Sequence, residues 1–366
     1  LTHGLQAQPS VFAVAYGSDP ASVENAAEAL VGRKPVQGKL PVTVPGLYPL
    51  WSGLNVSPSY PMNQTRQFDP ARFAALDALL EGAIRNKAFP AAAIAFGTDQ
   101  ALVRPKAYGY QTYDSEVAVS PDMPFDLASL TKVVGLTTAV MKLYEEGKLR
   151  LDDKVVKFIP EFAPNGKDQL TIRHLMTHTG GLKAFYAFYN MGINSREGVL
   201  QYIFADKLYF TPGTKMEYSD LDMILVGLIV ERISGKSLDA YLKQYFWTPL
   251  GMNRTGFRPT NGAGDDLAVV PTEKDTYFRK KLMQGEVHDE CAWVLGGTSG
   301  HAGLFSTAND LAIFAHMMLN EGSYGGQQYL KPETIRLFTK VQQSGFSTRA
   351  LGWDTKPRSG YTTAGT

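Results

Sequence analysis

Ser129 and Lys132 form a Ser-x-x-Lys pattern at the start of a predicted helix. Residues three apart share one helix face, so the lysine nitrogen can reach the serine hydroxyl. A serine hydroxyl is a weak nucleophile that must lose its proton to a neighbouring base as it attacks. Burial and the positive helix N-terminus both favour the neutral amine that lysine needs to serve as that base. Since this pattern alone usually marks a solvated helix turn, it indicates catalysis only together with further residues.

A second set of polar residues follows a Pro-Gly turn at 212–213. Tyr218 and Asp220 end this loop, immediately before a predicted helix. A phenol at such a position can project into a cleft and relay the proton of Ser129 to a leaving group, with help from Lys132. The alternative, which is commoner for an isolated tyrosine, is a packed ring with a satisfied hydroxyl.

Three longer stretches strengthen the catalytic interpretation. They read LTIRHLMTHTGGL at 170–182, FTPGTKMEYSDLDMILVGLIVERISGKSLDAYLKQYFWTPLGM at 210–252 and GHAGLFSTANDLAIFAHMML at 300–319. With the Ser-x-x-Lys pattern, they resemble the superfamily of class C β-lactamases, esterases and DD-peptidases (penicillin-binding-protein type) over about residues 69–355.

This resemblance implies a serine hydrolase that uses no cofactor and no metal. Ser129 would form an acyl-enzyme with an ester or amide, which is a β-lactam, a carboxylester or a cell-wall peptide, while Lys132 and Tyr218 handle the proton. The alternative is a non-catalytic module that keeps the fold as a binding domain of a glycosidase fusion.

Two positions depart from the family pattern, and both are candidate substrate-binding residues. Asp220 stands where the family's Tyr-x-Asn motif has asparagine, so an amide that can donate becomes a carboxylate that cannot, and we expect weaker lactam hydrolysis. His301, in His-Ala-Gly, is similar to the third motif, but its segment precedes a helix, so we favour a third motif elsewhere. That motif should follow the Leu-Gly-Trp-Asp stretch at 351–354, and we expect the chain to end before it.

The predicted elements indicate an α/β (α+β) fold, with an antiparallel sheet flanked by helices and an inserted, mostly helical lobe. A helix starts at Asp69-Pro70, and a hairpin follows from strands at 91–97 and 101–110. Further helices are predicted at 129–146, 171–177, 220–234, 237–247 and 308–320. The site should lie between the two lobes.

The first 46 residues resemble the C-terminal tail of a family-three glycoside hydrolase, with a strand at 11–16 and a helix from Asp19-Pro20 to Gly32. Residues 47–67 read as a linker rich in Pro, Ser, Gly and Asn. We therefore predict a remnant domain at 1–46, a linker, and a serine hydrolase domain at 68–366, truncated before its third motif.

Charge, hydropathy and the cysteine and histidine residues limit the binding partners and metal sites that the sequence supports. A formal net charge of +1 over 366 residues gives no field that would favour nucleic acid or anionic lipid, and no apolar run is long enough for a transmembrane segment. The single Cys291 reads as a small buried apolar residue, and His174 and His178, at i and i+4, as structural rather than metal-binding. The resemblance implies a peptide or small-molecule substrate and a periplasmic or extracytoplasmic location.

Overall fold

The computed structural model describes residues 70–98, 102–259, 269–343 and 345–355. All of them lie in the second of two units of the chain, residues 62–366. The predictions for residues 1–46, for the linker and for a third motif after residue 355 lie outside the described residues. In the described part, no helix is long and apolar enough to cross a membrane.

The helices and strands follow the predicted order. The helices are α1 (Pro70–Arg85), α2 (Thr138–Glu145), α3 (Ile172–Met176), α4 (Arg196–Ala205), α5 (Asp220–Ser234), α6 (Leu238–Leu242), α7 (Thr248–Leu250), α8 (Glu290–Val294), α9 (Ala308–Leu319) and α10 (Pro332–Thr339). The strands are β1 (Ala91–Gly97), β2 (Leu102–Gly109), β3 (Phe125–Asp126), β4 (Gly256–Phe257), β5 (Glu273–Lys274), β6 (Leu282–Met283), β7 (Leu304–Ser306), β8 (Ser323–Tyr324) and β9 (Gln327–Gln328).

The predicted hairpin is present. Strands β1 and β2 pair antiparallel, with Ala91 opposite Gly109 and Gly97 opposite Leu102. Helix α9 packs against β1, and α1 contacts the same strand through the stacked rings of Phe73 and Phe96, whose centroids are 5.0 Å apart. The hairpin is thus flanked by helices from both ends of the described chain, as predicted for the α/β lobe.

A small three-stranded sheet joins the turn that bears Ser129 to the segment that bears His301. Its order is β3-β7-β4, and both pairings are antiparallel. The Leu127 N–H donates to the Leu304 carbonyl at 2.9 Å, and the Leu304 N–H donates to Thr131 Oγ1 at 3.1 Å. The turn that bears Ser129 is therefore fixed beside the segment that bears His301, although the two are far apart in sequence.

Helix α5 is the centre of the helical lobe. Its residues from Leu221 to Val230 are all buried, because the sequence there is almost wholly apolar and other helices surround it. The Ser219 side chain caps the helix by accepting the Asp222 N–H, so α5 begins directly after the loop that carries Tyr218.

The predicted helix at 129–146 consists of three consecutive segments instead of one. A 3₁₀ turn at Ala128–Leu130 is followed by a π-helix at Lys132–Thr137 and then by α2. Thr137 Oγ1 donates to the Lys132 carbonyl, five residues back, at 2.7 Å. Such side-chain bonds compete with the α-helical ladder, which accounts for the wider turn immediately after the lysine.

Candidate active site

Ser129 lies on the 3₁₀ turn between β3 and the π-helix, and it is exposed. Its neighbour Ala128 has a φ of 45°, a left-handed conformation that an alanine adopts at a cost of about 1–3 kcal/mol. The Asp126 carboxylate accepts the Ala128 N–H at 2.8 Å and the His288 N–H with its other oxygen, also at 2.8 Å. The turn that presents the Ser129 hydroxyl is thus held in one strained conformation by its own surroundings.

Lys132 lies one turn further on and is buried, with 3% of its surface exposed. Its Nζ donates to Ser129 Oγ at 2.9 Å and to the His301 carbonyl at 3.0 Å, and it lies 2.7 Å from Asp220 Oδ1. These three acceptors match the three N–H groups of an ammonium. Since Ser129 Oγ accepts from the lysine, the hydroxyl proton of Ser129 is free to be donated elsewhere.

Tyr218 lies beside the lysine, and its side chain is partly exposed. Lys132 Nζ is 4.9 Å from the centroid of the Tyr218 ring, and the guanidinium carbon of Arg349 is at the same distance. The His178 ring also packs on it, with 4.6 Å between centroids. Two cations at this distance from one aromatic ring hold it by cation–π attraction, so Tyr218 is kept next to the amine that contacts Ser129.

The structure places the two candidate substrate-binding residues differently. Asp220 is the first residue of α5, where a carboxylate is favoured by the helix dipole, and it contacts Lys132 directly. His301 reaches the lysine only through its backbone carbonyl, because its imidazole is fully buried. The ring contacts Ser299 Oγ at 2.7 Å through Nδ1 and Asp289 Oδ1 at 3.0 Å through Nε2.

Asp289 and Arg349 are neighbours of the site that the sequence did not single out. Burial raises the pKa of Asp289, but His301, the Ala292 N–H and Lys132 together outweigh this effect, so the net pKa is lower than usual. Asp289 also caps α8 by accepting the Ala292 N–H at 2.7 Å. Neither residue belongs to a recognisable local pattern, although Arg349 precedes the Leu-Gly-Trp-Asp stretch closely.

In the described part of the chain, Asp220, Asp289 and His301 have potential metal ligand atoms within 4.8 Å of one another. The ammonium of Lys132 already supplies a positive charge beside one of these carboxylates, and the His301 nitrogen is hydrogen-bonded to the other. The arrangement is thus that of an ion-pair network, in which each of these groups has a partner.

Three other residues considered in the sequence have structural contacts. His174 Nδ1 accepts the Thr171 N–H at 3.2 Å and completes the cap of α3, and His178 Nδ1 accepts the Ser219 N–H at 3.2 Å. Cys291 is half-buried on α8, and burial raises the pKa of its thiol, which disfavours the reactive thiolate.

Comparison with known proteins gives one matching family and consistent relatives. The family model described as Beta-lactamase matches residues 76–366. A protein of Escherichia coli K12, provisionally named a D-alanyl-D-alanine carboxypeptidase, is 35% identical over 295 residues, which are 72% of this chain and 68% of that protein. The N-acetylmuramyl-L-alanine amidase of Bacillus subtilis 168 is 33% identical over 332 residues, or 82% of this chain and 75% of the amidase.

Solved structures confirm the predicted fold. The octameric penicillin-binding protein homologue from Pyrococcus abyssi superposes with a TM-score of 0.63 at 23% identity, over 76% of this chain and 64% of that one. EstCE1, a hydrolase with promiscuous acyltransferase activity, superposes with a TM-score of 0.61 at 22% identity, over 76% and 81% of the respective chains. The chain thus spans less than two thirds of the length of the P. abyssi protein.

Proposed function

This chain belongs to the Beta-lactamase family of serine hydrolases, and from that premise we propose that it hydrolyses an alanyl amide of cell-wall peptides through an acyl-enzyme on Ser129. The observation that carries the proposal is the contact between Lys132 Nζ and Ser129 Oγ at 2.9 Å, with the Tyr218 ring against the same amine. A nucleophile, an adjacent amine and a phenol are the groups that acyl transfer requires.

In the proposed reaction, Ser129 Oγ attacks the carbonyl carbon of the substrate and a C–O bond forms. The hydroxyl proton passes to the Tyr218 oxygen when that oxygen is a phenolate or releases its own proton in the same step, or to Lys132 once that amine has lost a proton, and from there to the leaving amine as the C–N bond breaks. Water then attacks the ester of the acyl-enzyme, releases the acid and returns the proton to Ser129 Oγ. Each step needs only the side chains that meet at this site.

The names of two relatives support the proposed substrate class. The E. coli and B. subtilis proteins are both named for amides of alanine, and this chain is at least 33% identical to each. Asp220 offers no N–H to a substrate carbonyl unless protonated, so we propose slow turnover of β-lactams. Since cell-wall peptides lie outside the cytoplasm, we propose a periplasmic or otherwise extracytoplasmic location.

The first test is the intact mass of the protein after exposure to a fluorophosphonate. We expect one adduct on the wild type and none on Ser129→Ala. Ser115→Ala is the matched control, because the Ser115 hydroxyl accepts the Val117 N–H and contacts no group of the candidate site, and this variant should label like the wild type. No adduct on a folded wild type would favour the non-catalytic binding module instead.

Substrate class is tested separately on the same variants. A peptide that ends in D-alanyl-D-alanine should release D-alanine with the wild type and not with Ser129→Ala. Hydrolysis of p-nitrophenyl acetate without release of D-alanine would retain the serine hydrolase and reject the peptide substrate.

A further inference from the structure

His178 makes several contacts with the loop that carries Tyr218. The Glu217 N–H donates to the His178 carbonyl at 2.9 Å, and the Ser219 N–H donates to His178 Nδ1 at 3.2 Å. Between these two bonds, the ring of Tyr218 packs on the His178 ring at 4.6 Å with an interplanar angle of 46°. Three consecutive residues of the loop therefore contact one histidine, from its backbone, its ring nitrogen and its ring face.

His178 is itself rigidly placed. It is 1% exposed, its N–H donates to the Leu175 carbonyl at 3.1 Å, and its φ of 56° lies in the left-handed region. A positive φ is uncommon for residues other than glycine, although histidine adopts it more often than most. The surroundings thus maintain a strained backbone at the residue that faces Tyr218, and such strain concentrates at functional sites.

Two buried polar atoms, one on His178 and one on the neighbouring Asp222, give a second argument that position 178 does more than fill space. Among the described residues, His178 Nε2 and Asp222 Oδ1 have no hydrogen-bond partner. The other Asp222 oxygen lies 3.5 Å from His178 Nδ1, and both side chains are 1% exposed. Buried polar groups are nearly always paired, so apolar packing alone would be served better by a hydrophobic residue at position 178.

The hydrogen bonds also define the state of the ring. Because Nδ1 accepts the Ser219 N–H, a neutral His178 carries its proton on Nε2. Burial, together with the charges of Arg349 and Lys132, holds the pKa of His178 well below its usual range. The imidazole is therefore a neutral acceptor and an aromatic surface, and it adds no third cation beside Tyr218.

We propose that His178 is a positioning residue for Tyr218: it helps to fix the loop and the ring so that the phenol stays beside the Lys132 amine that contacts Ser129. The inference rests on the proposed function, because the position of Tyr218 affects the rate only if its phenol transfers a proton. A displacement of about 1 Å in a catalytic group can lower a rate by about 100-fold.

Two substitutions at position 178 distinguish the loss of the hydrogen bond to the Ser219 N–H from a change in the backbone. In His178→Asn, the amide Oδ1 replaces Nδ1 as acceptor, and asparagine tolerates the left-handed backbone. His178→Gly tolerates that backbone too but removes both acceptor and ring. For p-nitrophenyl acetate, we expect the glycine variant to lower kcat about 100-fold with KM within about threefold, and the asparagine variant to recover about tenfold.

His174→Asn is the matched control. His174 lies on α3, just before the turn that carries His178, and its Nδ1 also accepts a backbone N–H, but it caps α3 instead of contacting Tyr218. We expect its kcat to stay within about twofold of the wild type, since asparagine keeps the acceptor. Urea unfolding of every variant verifies that the rates compare folded proteins.

The decisive measurement is a double-mutant cycle with Tyr218→Phe. If His178 acts through the phenol, His178→Gly should lower kcat by less than about threefold in the Tyr218→Phe background. An undiminished 100-fold loss there would overturn the inference, as would a wild-type rate in His178→Gly. If the glycine variant does not fold, the same cycle with His178→Asn decides. A folded wild type that neither labels nor hydrolyses the ester would overturn the proposed function and this inference together.

Discussion

Replacing Asp220 by asparagine tests whether the carboxylate keeps Lys132 in its charged form. Asp220 Oδ1 lies 2.7 Å from Lys132 Nζ, and the lysine donates to Ser129 Oγ from the same nitrogen. A lysine that donates to the nucleophile cannot accept its proton until it has lost one of its own. Asparagine has the same size as aspartate and retains an acceptor oxygen, but it removes the negative charge.

The size of the effect follows from the geometry. At an effective dielectric constant of about 20, opposite charges 2.7 Å apart attract each other by about 6 kcal/mol. Asp220 is one-quarter exposed, and the amide oxygen of asparagine keeps part of the attraction, so we expect about half of this, or about 3 kcal/mol, to be lost. At about 1.4 kcal/mol for each tenfold change, this corresponds to a factor of about 100.

We therefore predict that Asp220→Asn raises the rate at which Ser129 is labelled by up to about 100-fold at pH 7. The rate to measure is that of fluorophosphonate labelling, followed by intact mass. Glu217→Gln is the matched control, because it neutralises a carboxylate on the same loop that pairs with Lys215 at 2.8 Å and not with Lys132. Its labelling rate should stay within about twofold of the wild type.

An unchanged labelling rate would refute the reasoning. In that case the proton of Ser129 would not pass to Lys132, and Tyr218 alone would have to remove it. A slower rate would also contradict the expected direction, since loss of a neighbouring negative charge cannot favour the ammonium.

Three further predictions concern stability, measured by urea unfolding. Burial lowers the pKa of Lys167 to about 8, so the unfolded chain binds more protons than the folded chain between about pH 8 and 10.5. The free energy of unfolding should therefore rise with pH across that window, and it should change less with pH in Lys167→Met. Burial raises the pKa of Asp222 well above its usual value, so its contribution to stability falls as pH rises above about 4, and Asp222→Asn should be more stable at pH 7. In Gly300→Ala the new Cβ would lie 2.3 Å from the Met223 carbonyl oxygen, which should cost about 3 kcal/mol, whereas Gly345→Ala, with open space around it, should be neutral.

The parts of this molecule that sequence reasoning predicted are those set by neighbours in the chain. Helix α5 was predictable because an N-cap serine at 219 precedes a long apolar run. The hairpin of β1 and β2 was predictable from two apolar segments with a short polar turn between them. The proximity of Ser129 and Lys132 follows from a spacing of three residues, and the structure places their polar atoms 2.9 Å apart.

The contacts between distant segments could not be predicted from the sequence. Lys132 and His301 are 169 residues apart, and their contact depends on the pairing of β3 with β7, two strands of two and three residues. Strands this short carry too few residues for a periodic signal. Asp289 was missed for the same reason, since only the folded chain brings its carboxylate to the His301 ring.

His301 shows why a motif can lead to the correct segment and still leave the chemistry open. The sequence favoured a third motif elsewhere, and the alternative was that the His301 imidazole lines the site. The structure buries that imidazole against Asp289 and Ser299 and turns the backbone carbonyl toward Lys132. A buried ammonium needs three acceptors, and a carbonyl fixed by the ring of its own residue supplies one of them without adding a charge. A substitution at His301 should therefore act on Lys132 through the position of this carbonyl, and that effect would be mistaken for loss of a catalytic imidazole if only activity were measured.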